Sequence, residues 1–208
     1  MISSLTFFLD WLGLIVFAAS GGLVASRKSM DVVGFALLAS VTAIGGGTVR
    51  DVVLGLTPVF WVKQPTVLLV CVAVGVATFF VAHLLQSRMR YLLWFDAVGL
   101  AIFSVTGAQT ALAAGVAPSI AVAMGVASAT FGGIIRDVLG GESPMVLRRE
   151  IYVTAALVGS LVTVGATGFG QGLNASLLLG FVAAFCVRAA ALYWSLTLPR
   201  YKGMTDAA

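Results

Sequence analysis

The sequence predicts an all-α membrane protein with seven transmembrane helices, arranged as two inverted three-helix repeats plus a seventh helix. Composition carries the first half of this prediction: the 208 residues are 60% hydrophobic and only 10% charged, with a mean hydropathy of +1.08. A soluble globular protein carries about 25% charged residues, so this chain has too much apolar surface to bury in water. The two repeats are predicted from a match of the sequence to itself at an offset of 86 residues.

Seven apolar stretches are long enough to cross a hydrocarbon core about 30 Å thick, which takes about 20 helical residues. The segments between them are short, so we expect a single transmembrane domain over residues 1–208, surrounded by the lipid bilayer. The predicted spans are approximately 5–26, 31–55, 65–86, 91–114, 117–140, 151–170 and 174–196.

Basic residues outside the spans predict how the chain is oriented. One side of the membrane receives eight of them and the other side receives only Lys63. Because basic loops stay in the cytoplasm, we expect the N-terminus outside and the C-terminus inside. The isoelectric point of 9.4 reflects this bias, and we expect no nucleic-acid partner. The eight residues are Arg27, Lys28, Arg88, Arg90, Arg148, Arg149, Arg200 and Lys202.

The internal match defines the two repeats. Repeat one covers about residues 5–86, repeat two covers about 91–170, and the seventh helix covers about 174–196. Each repeat has three spans, so the second copy is inverted relative to the first, and solute paths usually lie at the interface of such repeats. The ungapped matches among rare residue types are Asp10 with Asp96, Arg50 with Arg136, Asp51 with Asp137, and Pro58 with Pro144.

The second span of each repeat contains the motif Gly-Gly-x-x-Arg-Asp, as GGGTVRD at 45–51 and FGGIIRD at 131–137. A helical glycine costs about 1 kcal/mol relative to alanine, and interrupted spans at matching positions point to a transport site. We therefore expect kinks at a solute path, the alternative being close helix packing through small residues. The glycines are Gly45, Gly46, Gly47, Gly132 and Gly133.

The motif charges Arg50, Asp51, Arg136 and Asp137 lie in apolar surroundings, where a charge should face a partner or water. Neighbouring side chains on a helix diverge, so we expect cross-repeat pairs, Arg50 with Asp137 and Arg136 with Asp51. The alternative is that both arginines reach a membrane surface with their long side chains. Arg188 lies mid-way along the seventh span, and we expect it to meet an acid from another span or subunit.

Further polar residues lie near the motif in sequence. Asp10 and Asp96 have three alternative roles: attracting cations at the two mouths, pairing with the motif arginines, or starting a helix whose dipole favours an acid. Thr42 and Ser128 precede the glycines by one turn, where they can line a polar path or bond back to their own helix.

The sequence has no catalytic set of side chains, no metal-ligand spacing and no phosphate loop. We therefore expect that the protein is not an enzyme and binds no metal or cofactor.

The seven spans, the inverted repeats and the doubled motif resemble the bacterial members of the trimeric intracellular cation (TRIC) channels, over about residues 5–196. The resemblance implies a homotrimer in the bacterial inner membrane, with a pore in each subunit for potassium and other monovalent cations. It also implies that the motif glycines are hinges that gate the pore, in the second and fifth spans. Related bacterial proteins are described as glycine transporters.

The residues by themselves indicate only a membrane protein that moves a small polar solute. A channel needs one continuous path with weak, multiple sites. A carrier for a small zwitterion such as glycine would instead offer broken helix ends to the carboxylate and the amine. Inverted repeats suit both, and the resemblance favours the channel.

Overall fold

The computed structural model of the chain describes residues 4–85, 87–148 and 150–199. Short 3-10 turns occupy Ala82–Leu84 and Met145–Leu147. Gln86, the predicted end of repeat one, lies outside the described residues, as do Arg149, Arg200 and Lys202 of the predicted basic side. The helices of the described part are α1 Ser4–Arg27, α2 Val32–Val53, α3 Phe60–Lys63, α4 Thr66–Val81, α5 Arg88–Ala113, α6 Pro118–Leu139, α7 Val153–Gly168 and α8 Leu173–Tyr193.

Each predicted span corresponds to one helix, and α3 is a single extra turn between α2 and α4. Six of the helices in the described ranges are long and apolar enough to cross a membrane. The helix α7 is shorter, with 16 residues or about 24 Å, so the prediction of 151–170 was too long. The segment before α7 is extended, with Glu150 bridged to Thr197, and Gly170 ends the helix region with a φ of 78°.

The helices pack as two similar groups of three. In repeat one, α1, α2 and α4 contact one another, and in repeat two α5, α6 and α7 do the same. The helix α8 lies against α5 and α7 and therefore extends the second group. Across the groups, α1 packs on α5 and α2 packs on α6, so corresponding helices of the two repeats meet at their interface.

The α1–α5 contact shows the inversion directly. A Cβ on Gly13 would lie 3.1 Å from the ring of Phe103, and a Cβ on Gly99 would touch the ring of Phe17. The offset of 86 exchanges these two contacts, because it aligns Gly13 with Gly99 and Phe17 with Phe103. The two rings also contact each other in a tilted arrangement, with centroids 5.1 Å apart and an interplanar angle of 55°. The helices are therefore antiparallel and related by a local two-fold axis.

The α2–α6 crossing repeats this pattern at the motif glycines. A Cβ on Gly46 would collide with the backbone carbonyl of Ser128, and one on Gly132 would collide with that of Thr42. Both α2 and α6 continue as unbroken α-helices through their glycines. In this structure the motif glycines allow close helix packing, which was the alternative to kinks. The helix α2 has no break at Gly45–Gly47.

Candidate functional site

The arginine of the second motif lies at the centre of a buried ionic cluster between the repeats. Arg136 is 0% exposed; its Nη1 donates to Oδ1 of Asp96 at 2.7 Å and to Oγ of Ser20 at 3.0 Å. Its Nε donates to Oδ1 of Asp137 at 2.9 Å, while Oδ2 of Asp137 accepts from the backbone of Met145 at 2.9 Å. We call these residues the Arg136 cluster. It ties α6 to α1, to α5 and to the turn that follows α6.

The first motif forms a matching but less enclosed group. Arg50 donates from Nε at 2.9 Å and from Nη2 at 2.7 Å to Oδ1 of Asp51, while Oδ2 of Asp51 accepts from the backbone of Phe60 at 2.8 Å. The guanidinium lies 5.9 Å from the centre of the Phe60 ring. Nearby, the indole of Trp61 donates to Thr48 at 3.0 Å. We call Arg50, Asp51 and Phe60 the Arg50 cluster.

The predicted cross-repeat pairs, Arg50 with Asp137 and Arg136 with Asp51, are wrong. Each arginine instead pairs with the aspartate that follows it. Sequence neighbours diverge on a helix surface, but the chain returning after each helix holds one carboxylate oxygen with a backbone N–H. The long arginine side chain then folds back onto the other oxygen. The surface alternative is also wrong, since Arg50 is 8% exposed and Arg136 is fully buried.

The aspartates near the starts of α1 and α5 lie beside the two clusters. The pairing alternative is confirmed for Asp96, which holds Arg136. Asp10 lines a cavity of about 250 Å³ together with Arg50, Gln64 and Thr110. Among the described residues, Asp10 has no ion pair within 4.0 Å, and the hydroxyl of Thr106 lies beside its carboxylate.

The remaining predicted site residues line the α2–α6 crossing. Thr42 donates to the carbonyl of Leu38 at 2.5 Å, and Ser128 donates to that of Met124 at 2.7 Å. Both hydroxyls therefore bond back to their own helices, which was one of the two alternatives for them.

The other motif glycines lie against side chains. A Cβ on Gly45 would lie 2.9 Å from Ile135, a Cβ on Gly47 would lie 2.7 Å from Phe60, and a Cβ on Gly133 would lie 2.8 Å from Tyr152.

Ser20 and Tyr152, which lie at the Arg136 cluster, were not predicted as site residues, whereas Thr106 was expected either to line a polar path or to bond back to its own helix. Ser20 accepts from Arg136, and the Oη of Tyr152 lies 3.5 Å from the carboxylate of Asp96. Thr106 is the match of Ser20 in the other repeat and lies beside Asp10. The offset of 86 aligns these two hydroxyl residues, so the repeat contained the signal. No comparable signal marks Tyr152.

Arg188 forms a separate contact that joins α8 to the segment before α7. It is 1% exposed, and its guanidinium donates to Glu150 at 2.7 Å and to the carbonyl of Ile151 at 3.2 Å. It also lies over the ring of Tyr152, 5.1 Å from the centroid. The prediction that Arg188 meets an acid is confirmed, but the acid comes from a connecting segment rather than from a span.

Removing one partner of this pair should cost more than removing both. Glu150→Ala leaves the buried guanidinium of Arg188 without a counter-charge, so we expect a clear drop in the melting temperature in detergent. The double variant Glu150→Ala with Arg188→Met removes the buried charge as well, and it should recover part of the loss. Additive losses in this double-mutant cycle would contradict the pairing.

Comparisons with known proteins agree with this architecture. The family model described as "Glycine transporter" matches residues 7–83 and 93–168, one segment in each repeat. The UPF0126 inner membrane protein YadS of Escherichia coli K12 is 43% identical over 199 residues, covering 95% of this chain and 96% of that protein.

Two solved structures have the same fold. The TRIC trimeric intracellular cation channel orthologue from Rhodobacter sphaeroides is 59% identical, with a TM-score of 0.91, covering 93% of this chain and 100% of that one. A second structure, described under conductance through TRIC cation channels, is 32% identical with a TM-score of 0.85, covering 94% of this chain and 96% of that one. The chain is therefore a multi-pass inner-membrane protein that belongs to the family of the prokaryotic TRIC channels.

Proposed function

We propose that this protein is a cation channel of the TRIC type, with a pore inside each subunit and potassium as the main permeant ion. The observation that carries the proposal is the cavity lined by Asp10, Arg50 and Thr110 at the interface of the inverted repeats, where transport paths usually lie. The relatives described as cation channels support the same activity.

The charge around the cavity favours cations over anions. The charged residues on the wall are Asp10 and Arg50, and the guanidinium of Arg50 is paired with Asp51, which is not on the wall; the three groups together carry a formal charge of −1. The wall also includes the amide of Gln64, the hydroxyl of Thr110 and the indole of Trp11. A carboxylate without an ion-pair partner raises the local concentration of cations, and neutral oxygen atoms can replace part of their hydration shell.

Gating is proposed to act through the α2–α6 crossing. Gly46 and Gly132 allow the two helix backbones to touch, and a helix is easiest to bend where glycines follow one another. A bend at Gly45–Gly47 would move the Arg50 cluster relative to α1 and α5. The glycines would then act as hinges, while in the straight form described above they serve as packing positions.

Planar-bilayer recording tests the function. With purified protein and a potassium chloride gradient, we expect discrete openings whose current reverses near the potassium equilibrium potential. A matched preparation of detergent micelles without protein controls for leaks. Currents that reverse near the chloride potential, or a silent bilayer at several protein densities, would contradict the proposal.

A zwitterion carrier is the second candidate, because the cavity presents a carboxylate at Asp10 and a guanidinium at Arg50. These two groups are complementary to the amine and the carboxylate of a small amino acid. Liposomes that hold the same preparation should then accumulate labelled glycine in a saturable manner, with no single-channel current. Uptake equal to that of empty liposomes would reject this candidate.

Assembly and orientation complete the proposal. The Rhodobacter sphaeroides relative is described as trimeric, and we propose a homotrimer here, with the N-terminus outside and the C-terminus in the cytoplasm. Light scattering of the detergent-solubilised protein measures the subunit number.

The orientation is tested by labelling a single cysteine introduced at Ser29, in the connection between α1 and α2. The label should react only from the cytoplasmic side.

A further inference from the structure

The wall of the cavity at Asp10 combines aromatic rings with a carboxylate. Phe7, Asp10, Trp11 and Leu14 are three, four and seven residues apart on α1, so they share one face of that helix, and all four line the cavity. The rings of Phe7 and Trp11 meet edge to face, with centroids 6.0 Å apart. Phe60 of α3 adds a third ring. These three rings and the carboxylate therefore belong to one enclosed space.

The three rings are confined to one repeat. At the offset of 86, the positions of Phe7, Trp11 and Phe60 hold aliphatic residues in repeat two, namely Leu93, Ala97 and Val146. The aligned acid, Asp96, holds the guanidinium of Arg136 at 2.7 Å. Asp10 has no ion pair within 4.0 Å among the described residues. The rings thus accompany the acid that lacks an internal counter-ion, and aliphatic residues accompany the acid that has one.

Aromatic rings beside a carboxylate favour an organic ammonium ion over a metal cation. Ring faces attract cations within about 6 Å, and quaternary ammonium ions are the usual ligands of such sites. A potassium ion needs several oxygen atoms to replace its water, and this wall is mostly apolar. A quaternary ammonium ion has no N–H group that needs an acceptor, so an apolar wall suits it. The guanidinium of Arg50 already lies 5.9 Å from the centre of the Phe60 ring, which shows that a ring here can hold an organic cation.

The size and the charge of the cavity fit a small ion of this class. Its volume of about 250 Å³ lies below the range of roughly 300–1,000 Å³ that is typical of sites for drug-sized ligands. Arg50 is paired with Asp51 at 2.7 Å, so the negative charge of Asp10 is left for a ligand.

We propose that this cavity binds a small quaternary ammonium ion such as tetramethylammonium. Asp10 supplies the counter-charge, and the rings of Phe7 and Trp11 contact the methyl groups. Binding does not depend on conduction. The consequence that a bound ion interrupts the path of smaller cations rests on the proposed function.

Melting temperatures in detergent test the binding. Tetramethylammonium chloride and potassium chloride are titrated in parallel at constant ionic strength. A ligand that binds only the folded state raises the melting temperature as its concentration rises. We expect a larger rise with tetramethylammonium than with potassium at the same concentration. An equal or smaller rise would overturn the proposal.

Variants of the wall locate the site. Trp11→Leu and Asp10→Asn should each weaken tetramethylammonium binding at least about fivefold, and Trp11→Phe should weaken it less because a ring remains. Trp94→Leu is the matched control, since Trp94 is an aromatic residue of α5 outside this cavity wall. Equal binding by Trp11→Leu, Asp10→Asn and the wild type would overturn the assignment to this cavity.

Protection of a cysteine decides the same question without changing the proposed contacts. In a background with Cys71→Ala and Cys186→Ala, Gln64→Cys places a thiol on an exposed part of the wall. Tetramethylammonium, but not potassium, should slow its reaction with a water-soluble thiol reagent, and an unchanged rate would overturn the proposal. Protection in a protein that carries no potassium current would support the ammonium site and reject the proposed channel.

Discussion

Arg136→Met should destabilise the protein more than any other single change at the motif charges. The guanidinium is the positive partner of two buried carboxylates, Asp96 and Asp137, which are 2.7 and 2.9 Å away. Removing one member of a buried ionic network typically costs about 3–5 kcal/mol, because the remaining charges stay buried without compensation. We expect a large drop in melting temperature in detergent and a low yield of folded protein.

The internal repeat offers a matched control for this variant. Arg50→Met removes the equivalent guanidinium, but Arg50 borders a cavity that water can enter, and among the described residues its ion pair is with Asp51 alone. We therefore expect a smaller loss than for Arg136→Met. Adding Asp96→Asn to Arg136→Met should recover part of the stability, because one uncompensated carboxylate is removed. Equal losses in the two single arginine variants would contradict the difference in burial between the clusters.

Gly46→Ala and Gly132→Ala should each loosen the crossing of α2 and α6. The added methyl group would meet a backbone carbonyl, that of Ser128 for the first variant and that of Thr42 for the second. A backbone atom cannot rotate aside as a side chain can, so the helices must separate. Overpacking of this kind costs about 1–3 kcal/mol. We expect lower melting temperatures and altered gating in both variants.

A glycine outside the interface controls for helix propensity. Gly165 lies inside α7, and a Cβ there would meet nothing within 4 Å. Gly165→Ala should therefore leave the stability unchanged or raise it by up to about 1 kcal/mol, because alanine favours the helix. If Gly46→Ala behaved like Gly165→Ala, the close backbone contact at the crossing would not constrain the protein.

The number of spans, the inverted repeat and the motif positions could be predicted from the sequence. Long apolar stretches and a match at fixed offset are properties of the chain itself, and the packing of α1 on α5 and α2 on α6 follows the predicted relation. The partner of Asp96 was within reach of the same reasoning, since pairing with a motif arginine was one of the three alternatives for Asp96. An acidic partner for Arg188 was predicted, but its position in the segment before α7 was not.

The ion-pair partners within each motif depended on the tertiary structure. Asp51 and Asp137 face their neighbouring arginines because the chain returns over each helix end and donates a backbone N–H, from Phe60 and from Met145. A helix considered alone would point these neighbours apart. The segments that hold the carboxylates are placed by tertiary contacts, since α3 lies against α2 and α4 and the Met145–Leu147 turn lies against α6, and no local pattern encodes these contacts.

The sequence by itself determined that this chain spans the membrane as two inverted copies, because apolar length and residue matches at an offset of 86 are written in it directly. Only the tertiary structure decided that the copies differ. Arg136 is sealed between Asp96 and Ser20, while Arg50 lies beside an open cavity with Asp10. Nearly identical motifs can adopt both arrangements, and the choice depends on how the two repeats are packed around the local two-fold axis.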